Sequence, residues 1–265
     1  MKIFISADIE GTAGIAAWSE TELSAADSVY FRRQMSREVA AACRGALEAG
    51  VDEILVKDAH DSARNIDPAE LPEQASILRG WARNPYVMMA GLDESFAGAF
   101  YTGYHSGAGS DGNPLSHTMN LQNNYVLING VKASELYLNM LSASYLGVPS
   151  LLVTGDEALC AWAEQVNPGM ETVAVSRGLG GASASINPAL AQRRIQEAAE
   201  RALDKDISRL KLPLPDSFNV ELNFKEHAMA YRASFYPGVS KHGVYTVSFS
   251  AHDWFEVLRT LFYVL

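Results

Sequence analysis

Short apolar runs alternate with amphipathic stretches along most of the chain. Lys2-Ile-Phe-Ile-Ser-Ala-Asp8 reads as a strand, turned by Gly11. After a loop to about Ala25, residues 27–49 place Val29, Met35, Val39 and Leu47 on one helical face, and Gly50 marks the end. Ile54-Leu-Val56 is the next strand, closing at Asp58-Ala-His60. Residues 74–79 and 97–104 read as two more, the second running into His105 and Gly-Ala-Gly. The series continues with a strand at 125–128, a helix at 132–146, a buried strand at 150–153, a helix at 156–165, a strand at 172–175 and a long helix at 188–203.

Such alternation predicts an α/β fold, a largely parallel sheet covered by helices in three layers. Around Leu212-Pro-Leu-Pro215 the pattern changes. Residues 218–224 and 244–250 alternate like strands with one wet face, and 254–265 closes as an amphipathic helix. The expected division is an α/β domain over 1–212 and a smaller α+β subdomain over 213–265.

Composition narrows the class. In 265 residues, 48% are hydrophobic and 20% charged, ordinary for a globular chain with ample core. The balance of 21 Lys and Arg against 31 Asp and Glu gives −10, with no basic run to displace nucleic-acid counterions. Between Ser95 and Gly155 only Asp111, Lys132 and Glu135 are charged, so this stretch is interior or site wall. Its uncharged piece 136–155 has the length of a membrane span, but Asn139, Ser142, Ser144, Gly147 and Pro149 read better as a helix followed by a buried strand. No membrane association is expected. Asp8 and Glu10 interrupt the first apolar run, unlike a signal peptide. Cys43 and Cys160 form no Cys-x-x-Cys, so neither disulfide nor thiolate framework is expected and a reducing, cytoplasmic location follows.

The candidate chemistry lies at strand ends. Asp8 with Glu10, Asp58 with His60, and His105 each follow a strand, and the carboxyl ends of parallel strands share one edge. Asp8 and Glu10, two residues apart, share a face of an extended strand, where two anions call for a cation between them. Glu135 falls in the first turn of a helix after Asn129-Gly130, where the positive terminus favours a carboxylate. Two imidazoles with three carboxylates suit zinc, manganese or cobalt better than calcium or magnesium. Five donors exceed one tetrahedral ion and suit two ions about 3.5–4 Å apart, bridged by Asp8 or another carboxylate, which is a hydrolase site. Each residue alone also has a plainer explanation: a turn or cap carboxylate, or a histidine bonded to a carbonyl. His117 is either a general base and oxyanion donor or a satisfied core histidine. Gly178-Leu-Gly-Gly-Ala-Ser183 lacks the spacing and the Lys-Ser/Thr of phosphate loops and reads as a turn or substrate-facing loop. His227, His242 and His252 have no carboxylate cluster and read as structural.

Ala7-Asp-Ile-Glu-Gly11, Lys57-Asp-Ala-His-Asp-Ser62, Gly103-Tyr-His105, Ser116-His-Thr-Met119, Asn129-Gly-x-x-x-Ser-Glu135 and Val153-Thr-Gly-Asp156 stand in a distinctive order and spacing over essentially the whole chain. In these motifs the chain resembles the zinc-dependent D-aminopeptidases of dipeptide-transport operons. The resemblance implies a binuclear zinc exopeptidase that removes an N-terminal residue, typically D-alanine, from short peptides. It implies Asp8, Glu10, His60, His105 and Glu135 as ligands of two Zn2+ per subunit, His117 as the catalytic histidine, and a homodecamer of two stacked pentameric rings. Ser176 and Gly181 stand where many relatives carry Lys and Arg, and the chain, ending at Leu265, is short at its C-terminus beside that pattern. The rival readings are a two-metal phosphatase or phosphodiesterase, against which the scarcity of Arg and Lys counts, and a non-catalytic, metal-stabilised peptide-binding protein.

Overall fold

In the computed structural model, which describes residues 1–265, the opening apolar run forms β1 (Lys2–Ala7) and the long amphipathic stretch forms α1 (Ser28–Glu48). Met35 and Val39 are buried on the α1 inner face, while Val29 at its start is exposed. Then come β2 (Glu53–Asp58), β3 (Ala75–Leu78) and β4 (Gly98–Tyr104). β5 (Asn123–Ile128) and β6 (Val131–Lys132) form a hairpin whose turn residues Asn129 and Gly130 both have positive φ, 51° and 81°, as a type I′ turn requires. The next elements are α2 (Glu135–Tyr145), β7 (Ser150–Asp156), α3 (Glu157–Val166), β8 (Glu171–Leu179), β9 (Ala182–Ser185) and α4 (Pro188–Leu203). Beyond the proline-spaced segment lie β10 (Phe218–Phe224), α5 (His227–Ala233), β11 (Ser240–Lys241), β12 (Thr246–Ala251) and α6 (Trp254–Val264).

Seven strands pair in the order β3-β2-β1-β4-β7-β8-β9. Every neighbouring pair is parallel except β8 with β9. Along β1 the period of two divides the side chains: Ile3, Ile5 and Ala7 join the core beneath α1 and α4, while Phe4 joins the larger core on the opposite face. That second face is covered by α2, α3, α6 and an antiparallel sheet ordered β11-β12-β10-β5-β6. The expected α/β architecture with a smaller α+β part is present. The strand expected at 125–128 differs in its place: it pairs antiparallel with β10 instead of extending the parallel sheet. Its half-wet alternation, with Val126 and Ile128 buried and Asn124 exposed, is the pattern of a sheet covered on one face. The helix expected from residue 132 begins at Glu135, because Val131 and Lys132 belong to the hairpin and the Ser134 side chain caps α2 by accepting from Tyr137 N. No helix is long and apolar enough to cross a membrane. Cys43 and Cys160 are free and buried.

Candidate metal centre

Parallel pairing sets Ala7 of β1 beside Asp58 of β2 and Thr102 of β4, so the three chains leave the sheet together. Gly103 makes the close approach: at φ +67°, a Cβ there would stand 2.3 Å from the Asp8 carbonyl oxygen. Only glycine fits both that space and that conformation. The Gly11 amide donates to Gly103 O at 2.8 Å and fixes the turn after Glu10. Glu135, on the first turn of α2, closes the site from the side of the second sheet.

Asp8, Glu10, His60, His105 and Glu135 thereby meet, all buried, with His117 beside them. His60 Nδ1 stands 3.3 Å from Asp8 Oδ1 and 3.1 Å from Glu10 Oε2. His105 Nε2 is 3.5 Å from both Asp8 Oδ2 and Glu135 Oε2. His117 Nε2 is 3.5 Å from Glu135 Oε1, and its ring stacks on His105 with centroids 4.4 Å apart. Asp8 thus turns one oxygen to each of two donor trios, Asp8-Glu10-His60 and Asp8-His105-Glu135.

Each ring has one nitrogen committed to a backbone carbonyl: His60 Nε2 to Thr21 O at 3.1 Å, His105 Nδ1 to Ser106 O at 2.9 Å, and His117 Nδ1 to Leu115 O at 2.9 Å. Those N–H groups donate outward, so in a neutral ring the inward nitrogen carries a lone pair aimed at carboxylate oxygens. Lone pair against lone pair is repulsive, and a proton or a metal ion must lie between. Glu10 Oε2 and His105 Nε2 are buried without a hydrogen bond of proper geometry. The donor set, its shared carboxylate and these orphaned atoms fit a pair of divalent ions of the zinc type.

The electrostatics agree. Burial raises the Asp8 pKa well above its ordinary value, and the Glu10 charge adds to the rise. For Glu10 burial acts upward too, but His60 outweighs it and holds the carboxyl well below its usual range. Burial likewise opposes ionisation of Glu135, yet the neighbouring His105 and His117 bring it to about 2. For His105 burial acts downward, and Glu135 followed by Glu10 and Asp8 overcomes it, to about 10. His60 also ends well above its ordinary value, Glu10 and Asp8 prevailing over burial. The cluster demands positive charge.

A surrounding layer of residues orients the donors. Asp156, at the end of β7, accepts from Ser106 N and Oγ, both at 2.6 Å, and so holds the carbonyl that orients His105. Asn65 donates to His60 O at 2.7 Å and to Asp58 at 3.0 Å, while Asp58 also accepts from the amides of Asn65 and Ile66. Asn113 donates to Glu10 O at 3.2 Å. Behind these runs a hydrogen-bond relay: Asn139 donates to the Tyr104 hydroxyl at 2.8 Å, Tyr104 to Ser6 at 2.6 Å, and Ser6 to Met88 O at 3.0 Å. It joins α2, β4 and β1, the three elements that carry Glu135, His105 and Asp8. Lys57 is buried behind Trp81, its ammonium 4.5 Å from the ring centroid and bonded to the Asp58 and Gly80 carbonyls; burial lowers its pKa to about 8.

The sequence marks the six central residues and places Asp58 and Asp156 in its motifs without assigning them a role; the rest of this outer layer it does not mark. For Asp156 a signal existed, since it ends a strand as Asp8 and Asp58 do. For Ser6, Tyr104 and Asn139 none did, because buried polar residues within apolar runs pair only in three dimensions. Neither Ser176 nor Gly181 lines the metal cavity. Gly180 and Gly181 instead join β8 and β9 in a hairpin. The cavity measures about 440 Å3 and holds Asp8, Glu10, Glu22, Asp61 and Glu135 with no lysine or arginine.

Known proteins resemble this chain in sequence and in fold. A D-aminopeptidase of Bacillus subtilis (strain 168) is 31% identical over 265 residues, covering 98% of this chain and 95% of its own. The solved zinc-dependent D-aminopeptidase DppA from Bacillus subtilis, described as a self-compartmentalizing protease, superposes with a TM-score of 0.92 at 29% identity, covering 100% of this chain and 96% of that one. The family model for D-aminopeptidases, peptidase M55, matches residues 1–263. With its strand-end donor cluster and this match along nearly its whole length, the chain belongs to the M55 D-aminopeptidase family.

Proposed function

We propose that the chain is a zinc-dependent aminopeptidase that removes the N-terminal residue, a D-amino acid such as D-alanine, from short peptides. The observation that carries this reading is the buried cluster of inward imidazole nitrogens and carboxylates, opening on a cavity whose charged side chains are all acidic. Apart from the three carboxylates that the ions would neutralise, Glu22 and Asp61 favour an α-ammonium, and no lysine or arginine is present to clamp a phosphoryl group, which disfavours the phosphatase reading. Glu10, Asp8 and His60 would hold one zinc, and Asp8, His105 and Glu135 a second. Bound there, zinc supplies Lewis acidity towards the scissile carbonyl and lowers the pKa of water.

The chain's own residues do the rest. Asp8, with one oxygen in each trio, fixes the two donor sets relative to each other. Ser106 O and Thr21 O hold the His105 and His60 rings in the tautomers that point a lone pair inward. His117 keeps its Nδ1 proton on Leu115 O and turns Nε2 towards the cavity, with its side chain 14% exposed. That nitrogen takes the proton released as water attacks and returns it to the departing amine, acting first as base and then as acid. Glu10 offers an anionic partner for the substrate's free ammonium, which restricts cleavage to the first residue.

Self-compartmentalisation of a relative that matches along the whole chain supports a homo-oligomer, which we take to be the homodecamer, with the sites facing an inner chamber. Manganese and cobalt satisfy the same donors, and zinc is favoured by the relative. Paired D- and L-aminoacyl dipeptides, assayed beside a phosphate ester on metal-analysed protein, test the reading. Release of the first residue from the D series is expected; turnover of the ester alone would replace it.

A further inference from the structure

Beside the metal cavity lies a second cavity of different character, about 190 Å3 in volume. Leu138 of α2 and Leu258, Leu261 and Phe262 of α6 form its far wall, and Pro85 and Tyr86 close one side. No Asp, Glu, Lys, Arg or His side chain lines it; Leu265 lines it too, its O accepting from Asn120 Nδ2 at 3.1 Å. The two cavities share Val87, Met119 and Asn120, which stand as a common threshold. An apolar cavity of about 150 Å3 is enough to take a benzene ring, so this one has room for an aliphatic or aromatic side chain.

The threshold is unusual in its backbone. Val87 has φ +48° and Met119 φ +66°, in the left-handed region that branched and bulky residues avoid. Strain of this kind persists where surrounding contacts impose it, and it concentrates at ligand sites. Here the contact is direct: the Met119 amide donates to Glu135 Oε1 at 2.7 Å, so the conformation that aims Met119 between the two cavities is fixed by a carboxylate of the metal cluster. A peptide with its ammonium in the acidic cavity would find an apolar recess across Val87 and Met119.

We propose that this recess is a substrate subsite for an uncharged apolar side chain, of leucine, methionine or phenylalanine size, flanking the scissile bond, with Val87 and Met119 as its selecting threshold. This rests on the aminopeptidase reading and adds a preference to it: apolar over acidic side chains, because a carboxylate in the recess would lose its hydration without gaining a cationic partner.

The test uses the full-length, zinc-loaded protein and dipeptides in which leucine, phenylalanine, alanine or aspartate occupies the first or the second position, in D and L forms; the two positions distinguish which side of the bond the recess serves. Leu261→Trp, which fills the recess, is expected to lower kcat/KM for the leucine and phenylalanine peptides at least tenfold more than for the alanine peptide. Leu261→Ala, which enlarges it, is expected to shift the ratio towards phenylalanine. Damage to folding alone would lower all substrates together and leave the ratios unchanged, and unchanged ratios in both variants overturn the subsite. Binding is read separately from turnover by the methyl NMR signal of Met119, which is expected to shift with leucine or phenylalanine peptides and not with aspartate peptides. No shift overturns the subsite. A shift without hydrolysis of any peptide would instead overturn the aminopeptidase reading and leave the subsite standing.

Discussion

Between His117 and His105, two stacked rings with the same outward hydrogen bond, the distinction is burial. The His105 side chain is wholly enclosed among carboxylates, while His117 keeps an open edge on the cavity. His117→Ala is therefore expected to retain its zinc by elemental analysis and to lose roughly 10²–10⁴-fold in kcat; loss of metal would make His117 a ligand. A second residue-scale prediction concerns Glu38, buried on α1, which accepts from Gln34 and the Ala13 amide and leaves one oxygen without a partner. Burial raises its pKa from 4.5 to about 7. The folded chain thus favours the protonated carboxyl, a contribution present in full below about pH 4.5 and lost as pH rises through about 7. Relative to Glu38→Gln, the parent protein should lose on the order of 3 kcal/mol of stability between pH 4.5 and pH 8 in urea titrations. A pH-independent difference between the two would contradict this. Of these residues the sequence marks His117, since a histidine in an uncharged neighbourhood invites notice. Glu38 escapes, because a glutamate within an amphipathic helix reads as solvated until its face is known.

Strand ends were legible because parallel pairing brings carboxyl termini to one edge whatever the details of packing, so Asp8, His60 and His105 could be placed together from order alone. Glu135 was harder. It arrives on α2 after a hairpin that belongs to the other sheet, and local alternation does not reveal which sheet a strand such as Asn123–Ile128 joins. The coupling between elements is carried by the relay from Asn139 through Tyr104 to Ser6, which ties α2, β4 and β1 behind the cluster. Tyr104→Phe removes one hydroxyl and leaves buried partners unpaired, at a cost of about 1–3 kcal/mol. It is also expected to weaken zinc binding by roughly tenfold or more, as loss of an outer orienting partner does. Competition with a chelator measures the affinity independently of the unfolding midpoint. Lower stability with zinc affinity unchanged would confine Tyr104 to packing.

For the whole molecule, net charge of −10 is partly a property of the site, since Asp8, Glu10 and Glu135 gather in one buried place that two divalent ions would neutralise. The charge-poor stretch from Ser95 to Gly155 becomes β4, α2 and β7, the interior that supports the cluster, together with the half-exposed β5–β6 hairpin of the second sheet. Assembly leaves a fainter mark. Tyr231, Phe235 and Tyr263 stand exposed on α5, the turn after it and α6, yet single exposed aromatics are normal on a monomer and carry no stoichiometry. The proposed homodecamer predicts sedimentation at ten times the 28.8 kDa chain mass; a single-chain mass at micromolar concentration would contradict it.

The central claim is that this chain hydrolyses peptides through two zinc ions held by five buried donors. Its most direct test is release of D-alanine from D-alanyl-D-alanine by metal-free protein titrated with zinc. Release that begins with added zinc and saturates at two ions per chain is the predicted result. No release at any zinc level, or release that survives complete removal of the metal, would contradict it.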